Sequence, residues 1–123
     1  MYEAIIERIK ERLTGRELSA VIIPHISPDG DAAGSCSALW QVLDKVGIQA
    51  QLMTCDYIPD YLKWLKRIPD AISFQNRPKE CKQWLHKADI LFMLDHNTVA
   101  REGDLEPFVK EFEGEVIMID HHP

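Results

Sequence analysis

The sequence is poor in sulfur chemistry. Its three cysteines, Cys36, Cys55 and Cys81, stand far apart and form no paired motif. That argues against a disulfide framework and a zinc-thiolate site, and it suits a reducing compartment. All three are expected to be buried bystanders. No apolar run approaches the length that spans a bilayer, and the opening Met1-Tyr2-Glu3 lacks signal-peptide character. The expected location is therefore cytoplasmic, without a membrane partner. Positive charge is in deficit as well: 14 Lys and Arg against 20 Asp and Glu leave a net charge of -6. That disfavours a basic face holding long duplex nucleic acid. A phosphate-bearing substrate stays open, because bound divalent cations can reverse the sign of a site. Internal repeats, low-complexity stretches and domain linkers are also lacking.

What remains is ordinary globular material, 46% hydrophobic and 28% charged over 123 residues. Such a length makes one domain and buries roughly two-thirds of the unfolded surface. Ile5, Ile6, Ile9 and Leu13 recur at helical spacing and predict a first helix ending near Gly15. The run Ala20-Val21-Ile22-Ile23 predicts a strand buried on both faces. A helix from about Ala32, with Leu39, Val42, Leu43 and Val46 inward, is stopped by Gly47. Ile48 to Thr54 reads as a second strand, and Pro59-Asp60 opens a short helix with Tyr61, Leu62, Trp64 and Leu65. Ala71 to Phe74 reads as a short strand, and Lys79 to Lys87 as a helix with Trp84 and Leu85 inward. Ile90 to Leu94 and Val116 to Ile119 complete the buried strands, with a helix over 104–113 between them and Gly114 as its stop. Strand and helix alternate throughout, which predicts an α/β fold with a parallel β-sheet, helices on both faces and right-handed crossovers.

Chemistry collects at three strand ends. After the first strand comes His25-Ile26-Ser27-Pro28-Asp29-Gly30-Asp31-Ala32-Ala33-Gly34-Ser35. One imidazole and two carboxylates within seven residues form a hard-metal ligand set with oxygen in the majority. The strand 90–94 runs straight into Asp95-His96, and the strand 116–119 into Asp120-His121-His122. Four of the five histidines lie at these ends. In a parallel sheet all three would reach the carboxyl edge, where open α/β sheets bind ligands.

Each residue also has a plainer reading. Pro-Asp-Gly is a common turn, and Asp95 could cap the following segment. Ser35 could meet a phosphate, cap a helix or sit in solvent. His96 could support a ligand or be merely exposed. Arg101 could pair with a phosphate or with a surface carboxylate. Gly34 would let a phosphate approach the start of the helix. His86 is taken as structural, and Trp40, Trp64 and Trp84 as core or partly buried packing residues.

Taken together, His25-x-x-x-Asp29-x-Asp31 with Gly34-Ser35, then Asp95, then Asp120-His121-His122, resembles the DHH phosphoesterase superfamily. Within it the sequence is most similar to the bacterial oligoribonuclease and 3'-phosphoadenosine 5'-phosphate phosphatase group, often labelled exopolyphosphatase-related. The resemblance implies a Rossmann-like three-layer sandwich with two Mn2+ ions, or Mg2+ or another divalent cation, at the sheet edge. His25 and Asp29 would hold one metal, Asp31 and His121 the other, and Asp95 would bridge them. Water activated between the metals would attack phosphorus in line. His122 would orient or protonate the phosphate, with Asp120 supporting the histidines. The implied partner is a short oligonucleotide or phosphorylated nucleotide, and a homodimer is left open.

Two family features are missing: the aspartate of a fourth motif and a Gly-rich, basic substrate domain. The expectation is therefore an N-terminal catalytic domain over residues 1–123, cut after the Asp-His-His triplet, with its second metal site incomplete. The alternative is a truncated, inactive metal- or nucleotide-binding module. A haloacid-dehalogenase-type phosphatase fits worse. Its nucleophilic Asp must stand directly at a strand end, whereas Asp29 lies well beyond Ile23.

Overall fold

A computed structural model of the protein describes residues 7, 11, 18–24, 30–54, 64, 68–94 and 106–119. Five strands are present among them: β1 (Ser19–Ile23), β2 (Gln49–Thr54), β3 (Ile72–Ser73), β4 (Ile90–Leu94) and β5 (Glu115–Ile119). The helices are α1 (Gly30–Lys45), α2 (Pro78–Lys87) and α3 (Glu106–Lys110), with a 3-10 turn over Ile68–Asp70. Of the expected first helix only Glu7 and Glu11 are described, both helical and exposed. The short helix expected after Pro59 lies outside the described residues except for Trp64.

All pairings are parallel, and the strand order is β3-β2-β1-β4-β5. The pleat sends alternate residues to opposite faces, so the continuous apolar runs of β1 and β4 supply two cores at once. On one face, Ala20, Ile22, Leu52, Ile90, Phe92 and Leu94 pack under Cys36, Leu39, Trp40 and Leu43 of α1. On the other, Val21, Ile23, Met53, Leu91 and Met93 pack under Cys81 and Leu85 of α2, with Phe108 of α3 beside them. The result is the expected three-layer α/β sandwich. Each large side chain fully buried this way contributes about 1.5–3 kcal/mol.

Local chemistry sets the element ends. Beyond α1, Gly47 adopts φ 84°, a left-handed conformation that only glycine takes cheaply. The amide of Ile48 donates to the Leu43 carbonyl at 2.9 Å and that of Gly47 to the Asp44 carbonyl at 3.2 Å. That is a Schellman closure, with Leu43 and Ile48 both buried behind it. The Trp40 indole N–H donates to the Ala50 carbonyl at 3.0 Å and so ties α1 to β2. Pro78 occupies the first turn of α2, where its missing N–H costs nothing.

Asp89 ties the sheet together at its amino edge. Its carboxylate accepts from the Ser19 amide at 3.1 Å, and its backbone amide donates to the Ser19 carbonyl at 2.9 Å. Its carbonyl accepts from the Glu115 amide at 3.0 Å. One residue thereby aligns the starts of β1, β4 and β5.

The structure corrects three expectations. β5 is not buried on both faces: it is the edge strand, and Val116 and Met118 are 45% and 48% exposed. Trp64 is not a packing residue, being 79% exposed. His86 lies exposed on the last turn of α2 and has no place in the core. In all three cases the apolar or aromatic character was read correctly, but burial depends on what lies across from it. Cys36 and Cys81 are buried free thiols, as expected, and Cys55 lies outside the described residues. No described helix is long and apolar enough to cross a membrane.

Candidate functional site

The topology of the described strands creates a switch point. From β1 the chain moves one way across the sheet, to β2 and β3, while β4 and β5 lie on the other side of β1. α1, which follows β1, covers one face, and α3, which follows β4, covers the other. The carboxyl ends of β1 and β4 therefore flank a topological switch point. Open α/β sheets bind their ligands in that crevice, because the two following connections part there.

The registers bring the strand ends level. Ile23 pairs with Met93, and Leu94 pairs with Ile119. The strands that lead into His25, Asp95 and Asp120 are thus three neighbours, β1, β4 and β5, ending at one edge within a residue of each other. Adjacent strands lie about 4.8 Å apart, so the three ends span about 10 Å. The candidate ligands His25, Asp29, Asp95 and His121, and with them His96, Arg101, Asp120 and His122, lie outside the described residues. Among the described residues no cluster of three His, Cys, Asp or Glu side chains could hold a metal ion.

Asp31, Gly34 and Ser35 fall inside α1. The helix begins at Gly30, earlier than the expected Ala32, so Asp31 belongs to its first turn and not to the loop. Ser35 is too deep in the helix to cap it, which removes that alternative. Spacings of three and four put Asp31, Gly34 and Ser35 on one face of α1. Gly34 is half-buried, and among the described residues a Cβ built on it would meet nothing within 4 Å. The described packing therefore does not require glycine at this position.

The described cleft of about 650 Å³ is elsewhere. Lys82, Leu85 and His86 of α2, Phe108 of α3, and Phe112 and Gly114 line it. Ala88 and Gly114 precede β4 and β5, so the cleft opens at the amino edge, at the opposite end of the strands from the switch point. The strand ends carry the candidate site and the cleft does not. Sequence reasoning could not see the switch point, because strand order is not written in any single segment.

Cys81 is no candidate for the chemistry. Burial, helped by the nearby Glu80 carboxylate, pushes its thiol up to about 11. It is neutral at physiological pH and a poor nucleophile or ligand.

Fold and edge together define an open, doubly wound parallel α/β domain with a topological switch point between the carboxyl ends of β1 and β4. The chain belongs to the DHH family, whose N-terminal domain matches residues 19–123. It is also similar to a crystal structure of an exopolyphosphatase-related protein from Bacteroides fragilis, at a TM-score of 0.86 and 31% sequence identity. That likeness covers 98% of this chain and 35% of the other, so the chain spans about a third of its neighbour's length. No curated protein matches.

Proposed function

We infer that the chain is the metal-binding catalytic domain of a phosphoesterase that cleaves short oligonucleotides or 3'-phosphoadenosine 5'-phosphate. The observation that carries this reading is the adjacency of β1, β4 and β5 at the switch point. It gives the three ligand-bearing segments a common starting edge. Membership of the DHH family and likeness to an exopolyphosphatase-related protein support the same class.

The donor set suits manganese or magnesium. Carboxylates from Asp29, Asp31 and Asp95 outnumber the imidazoles of His25 and His121, and hard oxygen ligands select such cations over soft ones. The two buried thiols, Cys36 and Cys81, offer no rival thiolate site. In this assignment His25 and Asp29 would hold one ion and Asp31 and His121 the second, with Asp95 as a ligand available to both. Bound divalent cations supply Lewis acidity and an activated water for in-line displacement at phosphorus. Asp31 belongs to the first turn of α1. His122 holds or delivers a proton at the phosphate oxygen, and Asp120 fixes the orientation of the neighbouring imidazoles. Gly34 leaves room for the phosphate against α1, with Ser35 and Arg101 as further donors.

The test is manganese stoichiometry by elemental analysis, together with product release from an adenylate dinucleotide and from 3'-phosphoadenosine 5'-phosphate. One tightly held equivalent and a weaker second one are expected, with turnover. Asp31→Asn should lose one equivalent and cost more than the roughly 10–100-fold that loss of an outer supporting residue costs. Metal binding without turnover of either substrate would leave a binding module and overturn the catalytic assignment.

A further inference from the structure

The cleft at the amino edge has no part in the chemistry assigned above, yet it is built like a ligand site. Its volume of about 650 Å³ falls inside the roughly 300–1,000 Å³ that small-molecule pockets occupy. β4 has five residues at about 3.3 Å each, which sets the cleft about 15 Å from the carboxyl edge. Its floor is apolar: Leu85 is buried, and Phe108 and Phe112 are half-buried. Its two walls differ in charge. Lys82 and His86, one turn apart on α2, make a basic wall. Glu111 and Glu113, on either side of Phe112 in the segment after α3, make an acidic one.

The walls do not neutralise each other. Among the described residues no ion pair joins Lys82 or His86 to Glu111 or Glu113. The Lys82 ammonium instead lies over two rings, 5.2 Å from the Phe108 centroid and 6.0 Å from that of Phe74. Those rings are themselves 5.5 Å apart. The contact keeps the cation at the cleft and away from open water. Such walls select their guest by charge. A purely anionic ligand meets repulsion from the glutamates, and a purely cationic one meets it from Lys82. An uncharged apolar ligand would strip water from both walls and pair with neither, which costs free energy. A guest that carries both charges on an apolar body avoids all three penalties.

We propose that the cleft between α2 and the segment after α3 binds a small zwitterion with an apolar body, of the chemistry of a hydrophobic dipeptide. The carboxylate meets Lys82 and His86, the ammonium meets Glu111 and Glu113, and the side chains rest on Leu85, Phe108 and Phe112. A cube of the cleft's volume is about 9 Å across, and two extended residues separate their end charges by about 7 Å. A single amino acid, with both charges on one carbon, suits that span less well. The proposal uses no residue of the strand ends and is independent of the phosphoester reading. The test is titration of the whole chain with phenylalanyl-leucine, followed by calorimetry and by backbone amide NMR shifts.

Saturable binding is expected, with shifts concentrated in α2 and over residues 108–114. Acetylating the peptide's amine or amidating its carboxyl should each weaken binding about two- to fivefold, the range of an exposed ion pair. Lys82→Gln should weaken the free peptide by the same factor and erase the difference that amidation makes. The double variant Glu111→Gln with Glu113→Gln should erase the difference that acetylation makes. All three substituted side chains are exposed, so the fold should survive their change. Asp31→Asn, at the opposite edge, should leave the affinity unchanged. Absence of saturation, or a capped peptide that binds as well as the free one, would overturn the proposal. So would binding confined to longer peptides, which would make the cleft a seat for a protein segment. Loss of binding in Asp31→Asn would place the peptide at the carboxyl edge and overturn it as well.

Discussion

β4 and β5 look alike as sequence. Ile90-Leu91-Phe92-Met93-Leu94 and Val116-Ile117-Met118-Ile119 are both short apolar runs, and each is followed by Asp-His. In the fold they differ sharply. β4 lies between β1 and β5, and every one of its residues is buried. Among the described strands β5 has a partner on one side only, and its Val116 and Met118 are half exposed although they pair with the buried Leu91 and Met93. Depth in a parallel sheet thus comes from the neighbours a strand acquires and not from its own hydrophobicity. The chemistry at the two ends is the same, but the stability behind it is unequal.

That contrast can be broken most severely at Phe92. It is fully buried under α1, so Phe92→Ala should cost about 3–5 kcal/mol, as core aromatic truncations do. Urea unfolding would measure it, and a loss below 1 kcal/mol would contradict the central placement of β4.

Gly114 comes next, because it stands where β4 and β5 are joined at the amino edge. A Cβ there would lie 2.5 Å from the Asp89 carbonyl oxygen and 2.8 Å from the Phe112 ring. The first of these is backbone that also bonds Glu115. Gly114→Ala should therefore destabilise by about 1–3 kcal/mol, the usual cost of overpacking. Met118→Ala, the edge counterpart of the Phe92 change, should cost about 1 kcal/mol or less, since only part of the side chain leaves water on folding.

Gly34 offers the opposite case to Gly114. With no described atom within 4 Å of an added Cβ, Gly34→Ala should stabilise α1 by about 0.5–1 kcal/mol through helix propensity. If the phosphate approaches here, the same variant should gain melting temperature and lose activity. A gain in both would remove Gly34 from the site.

The smallest effect is zero at neutral pH. Cys81 packs on the face that carries Leu91 and Met93, and its folded pKa is raised from 9.0 to about 11. Between those values the unfolded thiol ionises while the folded one stays protonated, so proton release favours unfolding. Stability from this residue is complete below pH 9 and falls as pH rises toward 11. Melting temperature measured against pH should show that fall, and Cys81→Ala should flatten it.

Much of the fold was legible in the sequence because buried strands and amphipathic helices announce themselves by local pattern. β1, β4 and the 78–87 helix lie within a residue of where the apolar periodicity puts them, and Gly47 stops α1 as its position suggests. The Asp and His clusters were equally plain, since they interrupt apolar runs abruptly. The exposed Trp64 was not legible, because Tyr61, Trp64 and Leu65 at helical spacing look like a packing stripe. Nor was the early start of α1, where Gly30 and Asp31 read as turn residues but continue into the helix.

By itself, the sequence determined which segments are strands and helices, where the Asp and His residues cluster along the chain, and that the class is parallel α/β. Each of these depends on residues close together along the chain. Only the tertiary structure decided that the strands order as β3-β2-β1-β4-β5, that β1, β4 and β5 are neighbours ending level at the switch point, and that β5 is an edge. Pairing between strands separated by tens of residues is set by which apolar faces can be covered together, as α1 covers Ile22 and Phe92 on one side and α2 covers Val21 and Leu91 on the other. Local sequence holds no record of that choice.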